Sequence, residues 1–236
     1  MLHHLPFRTL PWFAALFAAF LSPVMGKSPD ADGKKQQPQL RFICTSSLTE
    51  DQEVVLASQD DKGKWQELGT ITLRASLITD WLPAQVGELH LAVREESTLK
   101  SICQFTCPTD SRRALVALIA DPEKKVYNAR LADPEKLEFA KGTVLIFNFS
   151  AHTGLVSLGP KEEKVEAGQQ RVAKPALEEN GMYRMLVSYL DAEGQTVSCY
   201  DRQTSGNANS RDMLFLLPDK TLGLRVLGLP IFGALE

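Results

Sequence analysis

The chain has 236 residues, of which 44% are hydrophobic and 23% are charged, and its formal net charge at pH 7 is −3. This apolar content is that of a folded globular protein and excludes a largely disordered chain. The mild negative charge argues against nucleic acid as a partner, because nucleic-acid-binding proteins concentrate positive charge. The length is sufficient for two domains of about 100 residues each after a targeting segment.

The first 26 residues have the layout of a secretory signal peptide. Arg8 precedes an apolar run from Leu10 to Leu21, and small residues lead up to Gly26. The run is shorter than the roughly 20 residues of a transmembrane helix. We therefore predict a signal peptide over 1–26, with export to the periplasm or the extracellular space. The mature chain is expected to have no transmembrane segment.

A polar leader over 27–39 follows, and it lacks the apolar residues that a core requires. From Leu40 onward, short β-rich stretches alternate with turn signals. The stretch 87–94 (GELHLAVR) has the period of two that is typical of a half-buried strand. The stretch 113–120 (RALVALIA) is nearly all apolar, which fits either a central strand or a short buried helix. The predicted strands of this half are 40–45, 53–57, 65–74, 87–94, 99–107, 113–120 and 126–131.

Residues 132–141 are predicted to form one helical turn or a linker, after which the strand rhythm restarts. The clearest strand of the second half is 182–190 (MYRMLVSYL), and a polar loop, SGNANS, lies at 205–210. Short strands without a sustained helical period favour an antiparallel β-sandwich. The other predicted strands of this half are 143–149, 155–158, 195–200, 213–217 and 222–227, with further β-rich positions at Val165 and Val172.

The two halves resemble each other. The stretch 87–94 is similar to 181–188 (GMYRMLVS), and 113–122 (RALVALIADP) is similar to 212–219 (DMLFLLPD). We therefore predict two tandem immunoglobulin-like antiparallel β-sandwich modules, over 40–131 and 142–228. The apolar tail 229–236 is expected to pack between the modules or to dock on a partner, with packing inside the chain favoured.

Four cysteines remain in the predicted mature chain, an even number that export would permit to form disulfides. Cys103 and Cys107 lie four apart on a predicted strand, about 13 Å from each other, and a disulfide requires Cα atoms within about 7 Å. A bridge from Cys44 to Cys103 or Cys107 is therefore favoured over one between those two, with Cys199 free or paired across domains. Four buried thiols acting as small hydrophobic groups are the alternative. The Cys-x3-Cys spacing does not suit a zinc site. We predict no metal and no cofactor.

Catalytic motifs for hydrolases, phosphate binding and metalloproteases are absent from the sequence. His90 and His152 are the two candidate general bases. A hydrolase of unrecognised type would require one of them to lie beside a serine or an acid in a cleft. We predict that the chain is not an enzyme and keep the hydrolase as an alternative.

The polar stretch from Arg202 to Arg211 is the best candidate contact surface, since loops on a rigid scaffold commonly carry recognition. Trp65 and Trp81 either anchor the cores or form platforms for a glycan. The second interpretation predicts a carbohydrate-binding module. The candidate binding residues are Arg202, Gln203, Thr204, Asn207, Asn209, Arg211, Trp65 and Trp81.

Four short motifs lie in the second half: NFS at 148–150, VSLG at 156–159, VEAG at 165–168 and RDMLFLL at 211–217. In these the chain resembles small, uncharacterised exported β-proteins of bacterial envelopes, over most of residues 142–228. The resemblance implies a fold and a compartment but no activity. The predicted function is an exported, non-enzymatic binding or scaffold protein of the envelope that contacts a protein partner through sheet edges or loops.

Overall fold

The computed structural model describes residues 37–231, which form strands joined by turns and loops and contain no helix. The strands of the first module are β1 Gln39–Cys44, β2 Gln52–Gln59, β3 Trp65–Leu73, β4 Leu82–Pro83, β5 Gly87–Glu95, β6 Thr98–Cys107, β7 Arg113–Asp121 and β8 Val126–Ala132. Those of the second module are β9 Val144–Asn148, β10 Gly154–Leu158, β11 Glu162–Val165, β12 Gln170–Ala173, β13 Met182–Leu190, β14 Thr196–Ser205, β15 Arg211–Asp219 and β16 Gly223–Ile231.

The strands form four sheets in two pairs, which confirms the all-β class and fits two β-sandwich modules. In the first module, outer sheet 1 has the order β3-β2-β5-β6 and inner sheet 1 the order β4-β1-β7-β8. In the second, inner sheet 2 has the order β12-β9-β15-β16 and outer sheet 2 the order β11-β10-β13-β14. Each module has a core between its two sheets, and a third core joins strands of the two inner sheets.

Strand β7 shows why an apolar run here is a strand and not a helix. Val116 and Leu118 pack into the core of the first module, whereas Leu115 and Ala117 pack against the second module. A strand that is buried on both faces loses the alternation of apolar and polar residues that a half-buried strand shows. The two interpretations of 113–120 are thereby resolved in favour of the central strand.

The inner sheets are not purely antiparallel, and this corrects the prediction. Strand β1 pairs with β7 in parallel, with Leu40 opposite Ala114. Strand β9 pairs with β15 in the same way, with Val144 opposite Asp212. Parallel neighbours require a long connection, and here the outer sheet of each module is built from the residues between the two paired strands.

The two modules share one topology. Replacing each strand of the first module by the strand eight places later reproduces both sheet orders and the parallel pair. Strands β7 and β15 each have nine residues, so Arg113 corresponds to Arg211 and Ala114 to Asp212. The sequence similarity alone makes Arg113 equivalent to Asp212. That alignment is one residue away from the structural register.

The ends of the modules differ from the predicted bounds. Strand β1 begins at Gln39, inside the predicted leader, and β16 continues to Ile231, inside the predicted tail. Leu229 and Ile231 pack into the core between the inner sheets, because they alternate with residues that face the second module's own core. The predicted signal peptide, the leader up to residue 36 and the tail from residue 232 lie outside the described residues. Between 37 and 231 there is no helix with the length and apolarity to cross a membrane.

Candidate functional site

A cavity of about 470 Å³ opens at one end of the second module, between its inner and outer sheets. Its volume lies within the range of about 300–1,000 Å³ that is typical of ligand pockets. Strand β14 and the loop after it form one side, and β15 and β16 form the other. The lining residues are Val144, Tyr183, Met185, Thr204, Ser205, Gly206, Asn207, Ser210, Asp212, Met213, Leu214, Gly228, Leu229 and Pro230.

The cavity exists because the second module has smaller side chains where the first module has a packed core. In the first module Phe105 packs edge-on against Phe42, with ring centroids 6.0 Å apart, and Leu131 packs against the same core. Strand pairing gives the correspondence between the modules. At five inward positions the second module has Val144 for Leu40, Ile146 for Phe42, Thr204 for Phe105, Gly206 for Cys107 and Gly228 for Leu131.

Gly206 shapes one side of the cavity. A Cβ atom at this position would lie 3.1 Å from the Tyr183 ring and would collide with the Leu177 side chain. Glycine therefore lets the chain pass directly over Tyr183 after β14 ends. Leu177, which is 39% exposed, lies beside this close approach and adds apolar surface.

The wall of the cavity carries a carboxylate, that of the half-buried Asp212. Asp212 alternates with residues that face the interface between the modules and shares its strand face with Leu214, so its side chain points into the sandwich. Burial raises the pKa of Asp212 above its usual range, and a hydrogen bond with Ser210 lowers it in part. Burial also raises the pKa of Tyr183 to about 12, and the negative charge of Asp212 adds to that shift. The residue equivalent to Asp212 is Ala114, which is fully buried in the first core.

Among the strands of residues 37–231, β14 is an edge strand, and its outer side has no neighbouring strand beside the cavity. The amide of Gly206 donates to the Gly181 carbonyl at 2.9 Å, which sets the alternation of hydrogen-bonded positions along β14. By this alternation, the N–H and C=O groups of Ser205, Gln203 and Asp201 point away from β13. The ten-residue strand therefore offers a row of donors and acceptors to an added strand.

The predicted contact stretch is split by the structure, because β14 extends to Ser205 and β15 begins at Arg211. Thr204 and Asn207 line the cavity, whereas the side chains of Arg202 and Asn209 are exposed. Gln203 Nε2 donates to Glu178 Oε1 at 3.0 Å, outside the cavity, and Arg211 Nε donates to the Phe139 carbonyl at 3.0 Å.

Nine lining residues lie outside the predicted stretch 202–211, and Tyr183, Asp212 and Gly228 are three of them. The internal repeat identifies these three residues once it is aligned by strand pairing. In that alignment they are equivalent to Leu89, Ala114 and Leu131, which pack in the core of the first module.

The two tryptophans have different surroundings. Trp65 is half-buried at the start of an edge strand and meets the His90 ring edge-on, with centroids 5.1 Å apart. The guanidinium groups of Arg41 and Arg113 lie 4.9 and 5.3 Å from the centroid of the Trp81 ring. The surface of Trp81 is thus already engaged within the chain.

His90 lies beside a serine and an acid but in no cavity that the structure defines within residues 37–231. Its Nδ1 atom is 3.0 Å from Ser101 Oγ, and its Nε2 atom is 3.3 Å from Glu88 Oε1 without the alignment of a hydrogen bond. The Ser101 hydroxyl donates its proton to the Cys103 carbonyl at 3.2 Å. The serine oxygen is then an acceptor from His90, which is the reverse of what a general base requires. His152 packs against the Tyr189 ring, with centroids 4.6 Å apart.

All four cysteines are free thiols, so the favoured bridge from Cys44 is not formed. Cys44 Sγ instead donates to the Ser46 carbonyl at 2.9 Å. Burial raises the pKa of Cys44 to about 11 and that of Cys103 to about 12. Together with Cys107 these thiols belong to the core of the first module, in agreement with the alternative of thiols acting as small hydrophobic groups.

A wider groove of about 950 Å³ runs along the seam between the modules, with a mostly polar lining. Lys220 and Glu123 form an ion pair across it, with Nζ and Oε1 2.6 Å apart, and the Arg130 guanidinium lies 5.9 Å from the centroid of the Phe149 ring. Exposed ion pairs of this kind contribute little stability. The groove is where the modules meet at the surface, and its lining is more polar than that of the smaller cavity.

No protein-family model matches the chain, and no curated protein is detectably similar to it. Within the described part of the chain, no group of three histidine, cysteine or acidic side chains converges as a metal site. The candidate site is therefore defined by geometry: an apolar cavity with one carboxylate, next to a free strand edge.

Proposed function

We propose that this protein is an exported, non-enzymatic binding protein of a bacterial cell envelope, and that its second module binds a segment of a protein partner. The observation that carries the proposal is the cavity of about 470 Å³ beside the edge strand β14. The equivalent position in the first module is filled by a packed core. Export is supported by the pattern of residues 1–26, and the envelope by the resemblance of residues 142–228.

Binding would proceed by addition of an extended partner segment to β14. In this mode main-chain hydrogen bonds supply affinity, and pockets for alternate side chains supply specificity. Ser205 and Gln203 would offer their outward backbone groups to the partner, and the cavity would receive one of its side chains. The immunoglobulin-like type of the modules is part of the proposal, supported by the pairing of two four-stranded sheets in each module.

A carbohydrate-binding module is the second candidate, because Trp65 is half-exposed at a sheet edge. An exposed aromatic ring with polar neighbours is a usual platform for sugars, and Gln66 adjoins it in the sequence. Replacing Trp65 by alanine would then abolish retention on a glycan column, whereas a protein partner bound at β14 would be unaffected.

The test is capture of the partner from solubilised envelope of the native host, with the full mature chain as bait. Gln203→Pro removes an outward N–H group and leaves the bonds to β13 intact, whereas the matched control Gln203→Ala keeps that N–H group. We expect the alanine variant to capture the same protein as the wild type, and the proline variant to lose at least tenfold in yield. Equal capture by two folded variants would contradict strand addition at β14.

A further inference from the structure

The walls of the cavity suit the methylene stem of a long side chain. Val144, Met185 and Leu214 belong to the core of the second module and also face the opening. Gly206 on one side of the cavity and Gly228 on the other contribute no side chain, so a slender chain has room to enter. These surfaces exclude water from an inserted stem, so they favour a stem that is itself apolar.

The part of the cavity wall that Asp212 forms suits a cation. Asp212 occupies a position that is alanine in the other module, and a carboxylate at an inward position costs free energy unless it is paired. Local choices that oppose the fold are expected mainly at functional sites. The carboxyl shares the cavity with the Tyr183 and Ser210 hydroxyl groups, so several oxygen acceptors meet an incoming group.

We infer that the cavity binds the side chain of a lysine presented by the partner segment, with its stem between the two sheets and its ammonium group at Asp212. An ammonium has three N–H donors and no acceptor, which matches one carboxylate with neighbouring hydroxyl oxygens. The inference rests on the proposed function and adds the chemistry by which the partner is recognised.

The tail of this chain is the competing occupant, since it continues from Ile231 next to Leu229 and Pro230 of the cavity wall. Residues 232–236, Phe-Gly-Ala-Leu-Glu, contain no lysine and no arginine. Their one charged side chain is acidic and would repel Asp212. Charge complementarity therefore favours a basic segment from outside the chain.

The probe is hexylammonium, which carries the ammonium group of lysine on an unbranched alkyl stem that is longer than the lysine stem, and its matched control is hexanoate. Amide NMR of the full mature chain follows the signals of Tyr183, Thr204 and Asp212 during titration. We expect saturable shifts with hexylammonium and at least tenfold weaker binding of hexanoate. Equal binding of the two probes would overturn the inference.

Two substitutions separate the role of Asp212 from a general charge effect. Asp212→Asn is expected to weaken hexylammonium binding at least tenfold. Asp51→Asn should leave the affinity unchanged, because Asp51 is an exposed residue of the first module, where it pairs with Arg74. Unchanged affinity in the Asp212 variant would contradict the assignment. Binding of hexylammonium only after deletion of 232–236 would also overturn it, by showing that the tail is the occupant.

These results are distinguishable from a failure of the proposed function. If hexylammonium does not bind but Gln203→Pro still reduces capture of the partner, strand addition stands and the lysine assignment is wrong. If hexylammonium binds at Asp212 but no partner is captured, the cavity takes a cation and the protein-binding function is wrong.

Discussion

The two modules of this chain have the same eight-strand topology and differ at one end of the sandwich. In the first module that end is closed by Leu89, Phe105 and Ala114, all packed into one core. In the second, Tyr183, Thr204 and Asp212 take their places around a cavity. The fold is thus set by strand pairing and by the two-sided burial of the inner sheets, whereas the cavity arises from a few inward side chains.

The largest effect is expected from placing the carboxylate of the second module in the first. Ala114→Asp puts a charge at a fully buried position without a partner, and we expect the free energy of unfolding to fall by about 3–5 kcal/mol. Urea unfolding at pH 7 measures this loss. The control is Asp212→Ala, which should not destabilise the second module. Equal losses of unfolding free energy in the two variants would mean that the two positions are equally buried, which would contradict the difference between the modules.

The second test exchanges the residues that close or open the sandwich. Phe105→Thr removes a ring that packs against Phe42, so we expect a loss of about 2–4 kcal/mol. Thr204→Phe places a ring in space that is already empty, so its effect on stability should be below about 1 kcal/mol. The same substitution should abolish the shifts caused by hexylammonium. A large destabilisation by Thr204→Phe would show that the cavity has no room for the phenylalanine ring.

The pH dependence of stability tests the environment of Asp212. Its pKa is raised in the folded state above the ordinary value of 3.8, so the folded protein binds this proton more tightly than the unfolded chain does. The contribution of Asp212 to stability is therefore most favourable below pH 3.8 and is lost as the pH rises through the folded-state pKa. Asp212→Asn should be more stable than the wild type at pH 7, and the gain should shrink at pH 3.5. Destabilisation at pH 7 would instead indicate a favourable ion pair in the folded protein.

The smallest effect concerns the thiols, which differ in burial between the modules. Cys44, Cys103 and Cys107 are buried in the first core, whereas Cys199 in the second module is half-buried. Burial raises the pKa of Cys199 and of Cys107 as well, so all four should react slowly with Ellman's reagent in the native state. We expect Cys199 to react first, and four thiols per chain to react in denaturant. A count of two in denaturant would reveal a disulfide.

The sequence permitted the strands to be predicted because alternation and turn residues are local signals. Strand β13 has the predicted bounds of 182–190. The sequence did not decide between strand and helix for 113–120, because burial on both faces removes the alternation of apolar and polar residues. The parallel pairing of β1 with β7 joins residues about 70 apart, and no local pattern encodes it.

The candidate site was predicted only in part, for a similar reason. Thr204 and Asn207 were named from their place in a polar stretch, and both line the cavity. Asp212 was missed because the repeat had been aligned one residue out of register, and a shift of one residue moves a side chain to the opposite face of a strand. The equivalence of Asp212 with Ala114 becomes visible only when the pairing of β15 with β9 is known.

The most direct test of the central claim is methyl NMR of the protein under a few atmospheres of xenon, a gas that enters apolar cavities. We expect xenon to shift the methyl signals of Met185 and Leu214 in the second module. The equivalent Leu91 and Val116 are fully buried in the first core, and their signals should not move. Shifts of equal size in both modules, or in the first module alone, would contradict the account that the second module has a cavity where the first has a packed core.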